Sequence, residues 1–250
     1  MRIDLNCDVG ESYYAKKIGQ DEALIPLITS CNIACGFHGG DPLTIQNAIV
    51  LAIKNGVQIG AHPSYPDLEN FGRKKMDLSS VELKASLRYQ IGVIQKLTEF
   101  HGGKMSHVKP HGALYNEAAK DFNLAVEIAE VIKSFGQNLI FLGQANSQME
   151  KAAALVGIPF VKEVFADRTY TNNGLLVPRT KKGAVISSVK ASSKQALQML
   201  LENKVSTIEG ELLHIEAESI CVHGDSENAL VFVNKLRKDF LNKNIQIKSF

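Results

Sequence analysis

About seven times along this chain of 250 residues, a short apolar stretch runs into polar residues and then into a segment of helical periodicity. That recurrence limits the fold more than any other feature. Residues 2–6, 28–34, 57–61, the stretch around 106–108, 138–142, 160–164 and 219–222 read as strands, and the polar groups nearly always follow the strand and precede the helix. In parallel α/β proteins ligands sit at the carboxyl ends of the strands, and a closed barrel gathers those ends on one rim. An open doubly wound sheet would show a Gly-x-Gly-x-x-Gly turn or one face free of site residues, and neither is present. The expectation is α/β: a seven-stranded parallel (β/α) barrel, with residues 1–250 as a single domain.

The helical segments carry their own punctuation. Asp41-Pro42 opens a helix with Ile45, Ala48, Ile49 and Ala52 on one side. Ser79-Ser80-Val81-Glu82 is a capping box ahead of the stripe Leu83, Leu87, Ile91, Ile94 and Leu97. One helix is expected over residues 117–134 with Phe122, Ala125, Ala129 and Ile132 inward, another capped by Asn146 and stopped by Gly157, and two more near 192–203 and 226–242, the last with Ser226 as its cap. Residues 171–183 are the least regular and read as a lid.

The charge, +2 from 28 basic and 26 acidic residues, argues against nucleic-acid binding. There is no run of about 18 apolar residues and no apolar leader, so neither a membrane nor a secretory route is indicated. Cys7, Cys31, Cys35 and Cys221 form no metal-binding pair and fit reduced core thiols in a cytoplasmic protein.

Chemistry concentrates at the strand ends. On the first strand Asp4, Asn6 and Asp8 share a face, which a strand buried on both sides would not ordinarily carry. Glu11, beside Gly10, reads as solvated. His38-Gly39-Gly40-Asp41 follows the second strand and, with the helix N-terminus, suggests a phosphate or carboxylate site. His62 leaves the third strand as His38 leaves the second. In His107-Val108-Lys109-Pro110-His111 the three ionisable residues share one face of an extended segment; Pro110 excludes a helix. His107 and His111 then lie roughly 13 Å apart at about 3.3 Å per residue, too far for one metal ion. Tyr115 follows closely. Glu163 points inward, Asp167-Arg168 lies just past the sixth strand, and His223-Gly224-Asp225 past the last. The basic run Arg73-Lys74-Lys75 reads as surface.

The runs Asp4-Leu5-Asn6-Cys7-Asp8-Val9-Gly10-Glu11, Asn32-Ile33-Ala34-Cys35-Gly36-Phe37-His38-Gly39-Gly40-Asp41-Pro42, Gly60-Ala61-His62-Pro63-Ser64-Tyr65-Pro66-Asp67 and His107-Val108-Lys109-Pro110-His111-Gly112-Ala113-Leu114-Tyr115-Asn116 closely resemble the LamB/YcsF family, the A subunits of bacterial ATP-hydrolysing 5-oxoprolinases. Glu163-Val164-Phe165-Ala166-Asp167-Arg168 and His223-Gly224-Asp225 extend the resemblance along the whole chain. It implies a seven-stranded barrel of the glycoside hydrolase and deacetylase type, and cleavage of 5-oxoproline to L-glutamate with ATP as co-substrate. It also implies subunits B and C as partners; a homo-oligomer is compatible with the sequence.

Lactam hydrolysis needs an activated carbonyl, an activated water, positive charge for a carboxylate and a phosphate, and a proton for the leaving nitrogen. Asp8 is the expected general base and His111 or His38 the general acid. Lys109 and Arg168 are expected to supply charge, with Asn6, Gly39, Gly40, Asp41, His107, Tyr115, Asp167, His223, Gly224 and Asp225 as substrate- or phosphate-binding candidates. Lys109→Met is expected to abolish turnover while leaving the thermal transition unchanged. No P-loop occurs, so a nucleotide is held some other way or by another subunit. The alternative is a metal-dependent hydrolase or deacetylase with one divalent cation on Asp8, His62 and His111.

Overall fold

The computed structural model describes residues 1–136, 138–225 and 228–250. Strands Arg2–Val9 (β1), Ser30–Ala34 (β2), Gln58–His62 (β3), Met105–Val108 (β4), Ile140–Gln144 (β5) and Phe160–Phe165 (β6) pair in sequence order, all parallel. After a small antiparallel hairpin, Lys204–Ser206 (β7) with Leu212–His214 (β8), comes Ser219–Val222 (β9). This strand pairs with β6 on one side and β1 on the other, closing a seven-stranded barrel. Gln246–Ile247 (β10) adds to the start of β1.

Helices Asp21–Leu24 (α1), Pro42–Lys54 (α2), Ser80–Phe100 (α3), Gly112–Ala118 (α4), Phe122–Ser134 (α5), Gln148–Val156 (α6), Val189–Glu202 (α7) and Ala229–Asn242 (α8) occupy the connections. The expected caps at Asp41 and Ser79 are present, the latter as a full capping box. Among the described residues no helix is long and apolar enough to cross a membrane.

Three local expectations are corrected. The single helix over 117–134 is two, because Asp121 accepts from Asn123 and Leu124 N–H and starts α5 afresh; Phe122, just past that cap, is 38% exposed instead of inward. Asn146 takes a left-handed conformation (φ 59°), and Ser147 caps α6. Ser226, expected to cap the last helix, lies outside the described residues.

The barrel interior is polar as well as apolar, and every second residue of the strands explains it. Asp4 accepts from Thr29 and Ser30 hydroxyls at 2.7 and 2.6 Å and from Ser219. One step up, Asn6 donates to Glu163 and Ser219 and accepts from Asn32. His107 reaches Asn32 Oδ1 at 2.8 Å, and Phe250 packs edge-on against its ring. Gly60, paired with His107 across β3 and β4, is required there, because a Cβ would occupy the imidazole's place.

Candidate active site

Above this layer the strand ends open into a cavity of about 900 Å³. Asp8, His62, Lys109, His111, Tyr115, Gln144, Phe165, Arg168 and His223 line it, with the 171–181 segment as one wall. Glu11 and His38 lie just behind His62 and His111 and are buried.

Two histidines are fixed by backbone carbonyls. His62 Nδ1 donates to Lys109 O at 2.7 Å, and His111 Nε2 donates to Phe71 O at 2.9 Å. The remaining nitrogens, His62 Nε2 and His111 Nδ1, face each other at 3.0 Å. In neutral rings both carry lone pairs, so the contact lacks a proton or a cation. Burial, with His38 and His62 alongside, pushes the His111 imidazole well below its ordinary pKa, which disfavours the proton. His38 stacks on His111 with ring centres 3.8 Å apart, and neither of its nitrogens has a hydrogen-bond partner among the described residues. Burial and then His62 push its pKa well down too.

Glu11 approaches His38 Nε2 at 3.5 Å and His111 Nδ1 at 3.7 Å. Burial, then Asp8 and Asp225, push its carboxyl well up. Ligand atoms of Glu11, His38, His62 and His111 all lie within 4.8 Å of one another, so these four form a group that could hold a metal ion. The set fits a divalent cation on two counts: orphaned buried nitrogens, and ring tautomers locked by carbonyls as in metal-binding histidines. His62 Nε2 and His111 Nδ1, 3.0 Å apart, are close enough to serve one ion together.

Of the expected trio Asp8, His62 and His111, the two histidines belong to this group. Asp8 stands beside the group, its Oδ2 3.4 Å from His62 Nε2, while Oδ1 accepts from Asn32 at 2.7 Å and Lys109 Nζ at 3.0 Å. Burial opposes its charge, but His62 and Lys109 outweigh burial and hold its carboxyl well below the ordinary range. Lys109 is buried and also pairs with Glu163 Oε1 at 2.7 Å. Its charge is therefore matched by two carboxylates and is not free to clamp an anion. Glu163 Oε2 accepts from Tyr115 at 2.7 Å.

Several other expected binding residues also have partners within the fold. Asp41 accepts from the N–H groups of Leu43, Thr44 and Tyr14 and closes the N-terminus of α2. Gly40 N–H donates to Glu11 O, and Gly39 packs so tightly on the Glu11 backbone that no side chain fits. Gly224 has the same reason to be glycine against the Asp8 carbonyl. His107 and Asn6 sit in the layer below the cavity. The Arg168 guanidinium donates to the carbonyls of Val177 and Ala184, tying down the 171–181 wall that reads in sequence as a lid. Asp167 and His223 form a closed pair at 2.9 Å. Asp225 pairs with Arg73 across the rim.

Sequence reasoning passed over Glu11, Gln144, Arg73 and Arg179. Arg179 and Lys181 line the cavity and have no ion pair or hydrogen bond from their side chains among the described residues. Burial and then the neighbouring Arg179 pull the Arg168 guanidinium down to about 10.

Comparison with known proteins agrees with this architecture. The family model described as LamB/YcsF family matches residues 3–250. A protein of Clostridium beijerinckii that bears the name of the 5-oxoprolinase A subunit is 47% identical over 246 residues, covering 98% of this chain and 96% of its own length. The crystal structure of a lactam utilization protein from Thermus thermophilus superimposes with a TM-score of 0.94 at 38% identity, covering 100% of both chains. The catalytic domain of a peptidoglycan N-acetylglucosamine deacetylase from Eubacterium rectale shares the fold alone, with a TM-score of 0.51 at 9% identity over 99% of this chain and 87% of its own. With a match over nearly its full length and the expected barrel beneath it, the chain belongs to the LamB/YcsF family.

Proposed function

We propose that this chain is one component of an ATP-dependent 5-oxoprolinase that opens the lactam of 5-oxoproline to L-glutamate with partner subunits B and C. The observation that carries the reading is the convergence of Asp8, His62 and His111, backed by Glu11 and His38, at the base of one cavity. The names borne by the relatives supply the substrate.

Hydrolysis adds water oxygen to the carbonyl carbon, breaks the ring C–N bond and gives the nitrogen a proton. Asp8 lines the cavity, and its Oδ2 is left unclaimed by Lys109 and Asn32, so it takes the proton of the attacking water and passes it to the departing nitrogen. Lys109 keeps Asp8 ionised and oriented. Glu11, His62 and His111, with His38 behind them, would hold a divalent cation, and these rings serve as donors in place of the expected general acids. Such an ion, when bound, supplies Lewis-acid polarisation of the lactam carbonyl. Arg179 and Lys181 receive the substrate carboxylate, the task expected of Lys109 and Arg168. Transfer of the terminal phosphoryl group of ATP to the carbonyl oxygen, with ADP leaving, makes the carbon a better acceptor; ring opening by the first water then leaves an acyl phosphate, which a second water cleaves to glutamate and phosphate, and the nucleotide is held without a P-loop or by another subunit.

The test is glutamate release from 5-oxoproline by this chain with its partner subunits and ATP. Release that requires all of them is expected. Equal release by the partners without this chain would overturn the proposal. The facing lone pairs favour a second reading, metal-dependent amide hydrolysis without ATP; metal-dependent release in the absence of nucleotide would select it.

A further inference from the structure

His107 is fully buried in β4, beneath the cavity and away from any ligand. Both of its ring nitrogens are nonetheless bonded: Nδ1 lies 2.8 Å from Ser106 Oγ and Nε2 2.8 Å from Asn32 Oδ1. Burial and then the Lys109 charge push the imidazole down to about 3, so the ring is neutral and carries one proton. Its neighbours decide which nitrogen holds that proton. Asn32 Nδ2 donates to Asp8 Oδ1 at 2.7 Å and to Asn6 Oδ1 at 2.8 Å. The Asp8 carboxylate only accepts, so the Asn32 amide turns its nitrogen to Asp8 and its oxygen to His107. That oxygen needs a donor, which puts the ring proton on Nε2. Nδ1 is left to accept from the Ser106 hydroxyl, which lies nearer to it than to Ile59 O at 3.1 Å. The donors of Ser106, His107 and Asn32 thus all point the same way, and the run ends on Asp8.

With Asp8 read as the base of lactam hydrolysis, Oδ2 is the oxygen that works on water, and Oδ1 is the end by which the barrel holds the carboxylate. Lys109 supplies charge there and Asn32 supplies direction. On that reading we infer that His107 is a positioning residue for the reaction: its Nε2–H holds the Asn32 amide in the orientation that donates to Asp8 Oδ1, and so keeps Oδ2 free for water. Gly60, whose lack of a side chain makes room for the ring, and Phe250, edge-on against it, hold the imidazole in place. Without this donor Asn32 Oδ1 is a buried acceptor with no proton, a cost the amide escapes by turning its oxygen to another donor, and its N–H then leaves Asp8. Lys109 remains, so Asp8 keeps its charge but loses its direction. The loss falls on the chemical step and spares substrate binding.

The test measures glutamate release by the full chain with its partner subunits and ATP. His107→Leu, which has no donor, is expected to lower kcat about 10- to 100-fold and to change KM by less than about twofold. His107→Gln places an amide N–H where the ring Nε2–H stood and is expected to recover most of that loss. In the unaltered chain the ring proton is located by nitrogen–proton correlation spectroscopy of the imidazoles, the His107 signal being the one absent from either variant, and Nε2–H is expected. This measurement decides the matter even where a variant shows no thermal transition. A proton on Nδ1, a His107→Leu chain with wild-type kcat, a loss confined to KM, or a folded His107→Gln chain as slow as His107→Leu would overturn the inference while leaving lactam hydrolysis standing. No glutamate release from the wild-type assembly overturns the lactam reading and this inference with it.

Discussion

Replacing Lys109 by methionine removes the one cation between two buried carboxylates, Glu163 at 2.7 Å and Asp8 at 3.0 Å from its Nζ. Sequence reasoning alone anticipates a silent change in stability, but the structure does not. Removing one partner of a buried ion pair costs about 3–5 kcal/mol, because the remaining buried charge loses its counter-ion. In a chain of this size each kcal/mol lowers the melting temperature by about 2–4 °C, so the fall should be about 6–20 °C. Thermal unfolding followed by circular dichroism at neutral pH measures it. Without Lys109, burial pushes the Asp8 carboxyl up relative to the wild type, so its charge costs more stability at neutral pH and less as protonation neutralises it. The gap between variant and wild type should therefore narrow as the pH falls from about 7 towards 5. Adding Glu163→Gln to the variant should recover part of the loss. A fall of less than about 2 °C, or a gap that widens in acid, would refute the view that Lys109 is held by these two charges.

Arg179→Met should raise KM for 5-oxoproline about tenfold and leave the neutral ring lacking the carboxylate unaffected; steady-state kinetics with both ligands checks it. The purified chain should retain close to one divalent ion after dialysis and His62→Ala should lose it, as read by elemental mass spectrometry. Asp41→Ala should cost about 1 kcal/mol through the lost helix cap. The backbone N–H groups of Thr44 and Tyr14 hold the Asp41 carboxyl at about 2. That contribution is fully present above the unfolded pKa of about 4 and drains away as pH falls towards 2, so the acid unfolding curves of the two proteins should converge.

How far the site could be read in advance depended on the kind of signal. Asp4, Asn6 and Asp8 at every second position of β1 announced an inward polar face, and the barrel follows from that face recurring on other strands. His38, His62 and His111 were visible because each leaves a strand end. Period two could not say how deep each residue sits: His107, Lys109 and His111 share a direction in sequence, yet Lys109 and His111 line the cavity while His107 lies below it. Competition for hydrogen bonds was equally invisible. Arg168 has the residue type of an anion site and Asp41 opens a helix N-terminus beside Gly39 and Gly40, but carbonyls and amides of the fold itself claim both side chains first. Glu11 looked solvated because its neighbours in sequence are small and polar, and its burial comes from segments remote in the chain. Gln144 offered no signal, since its place in the cavity wall is a property of three dimensions.

The manner of closure has a consequence for biosynthesis. Because β1 shares its hydrogen bonds with β9 as well as β2, the earliest barrel strand to leave the ribosome waits for residues 219–222 before its second edge is covered. From the emergence of β6 until residues 219–222 follow, β1 and β6 therefore both offer open parallel edges, to which a strand of a second nascent copy can add.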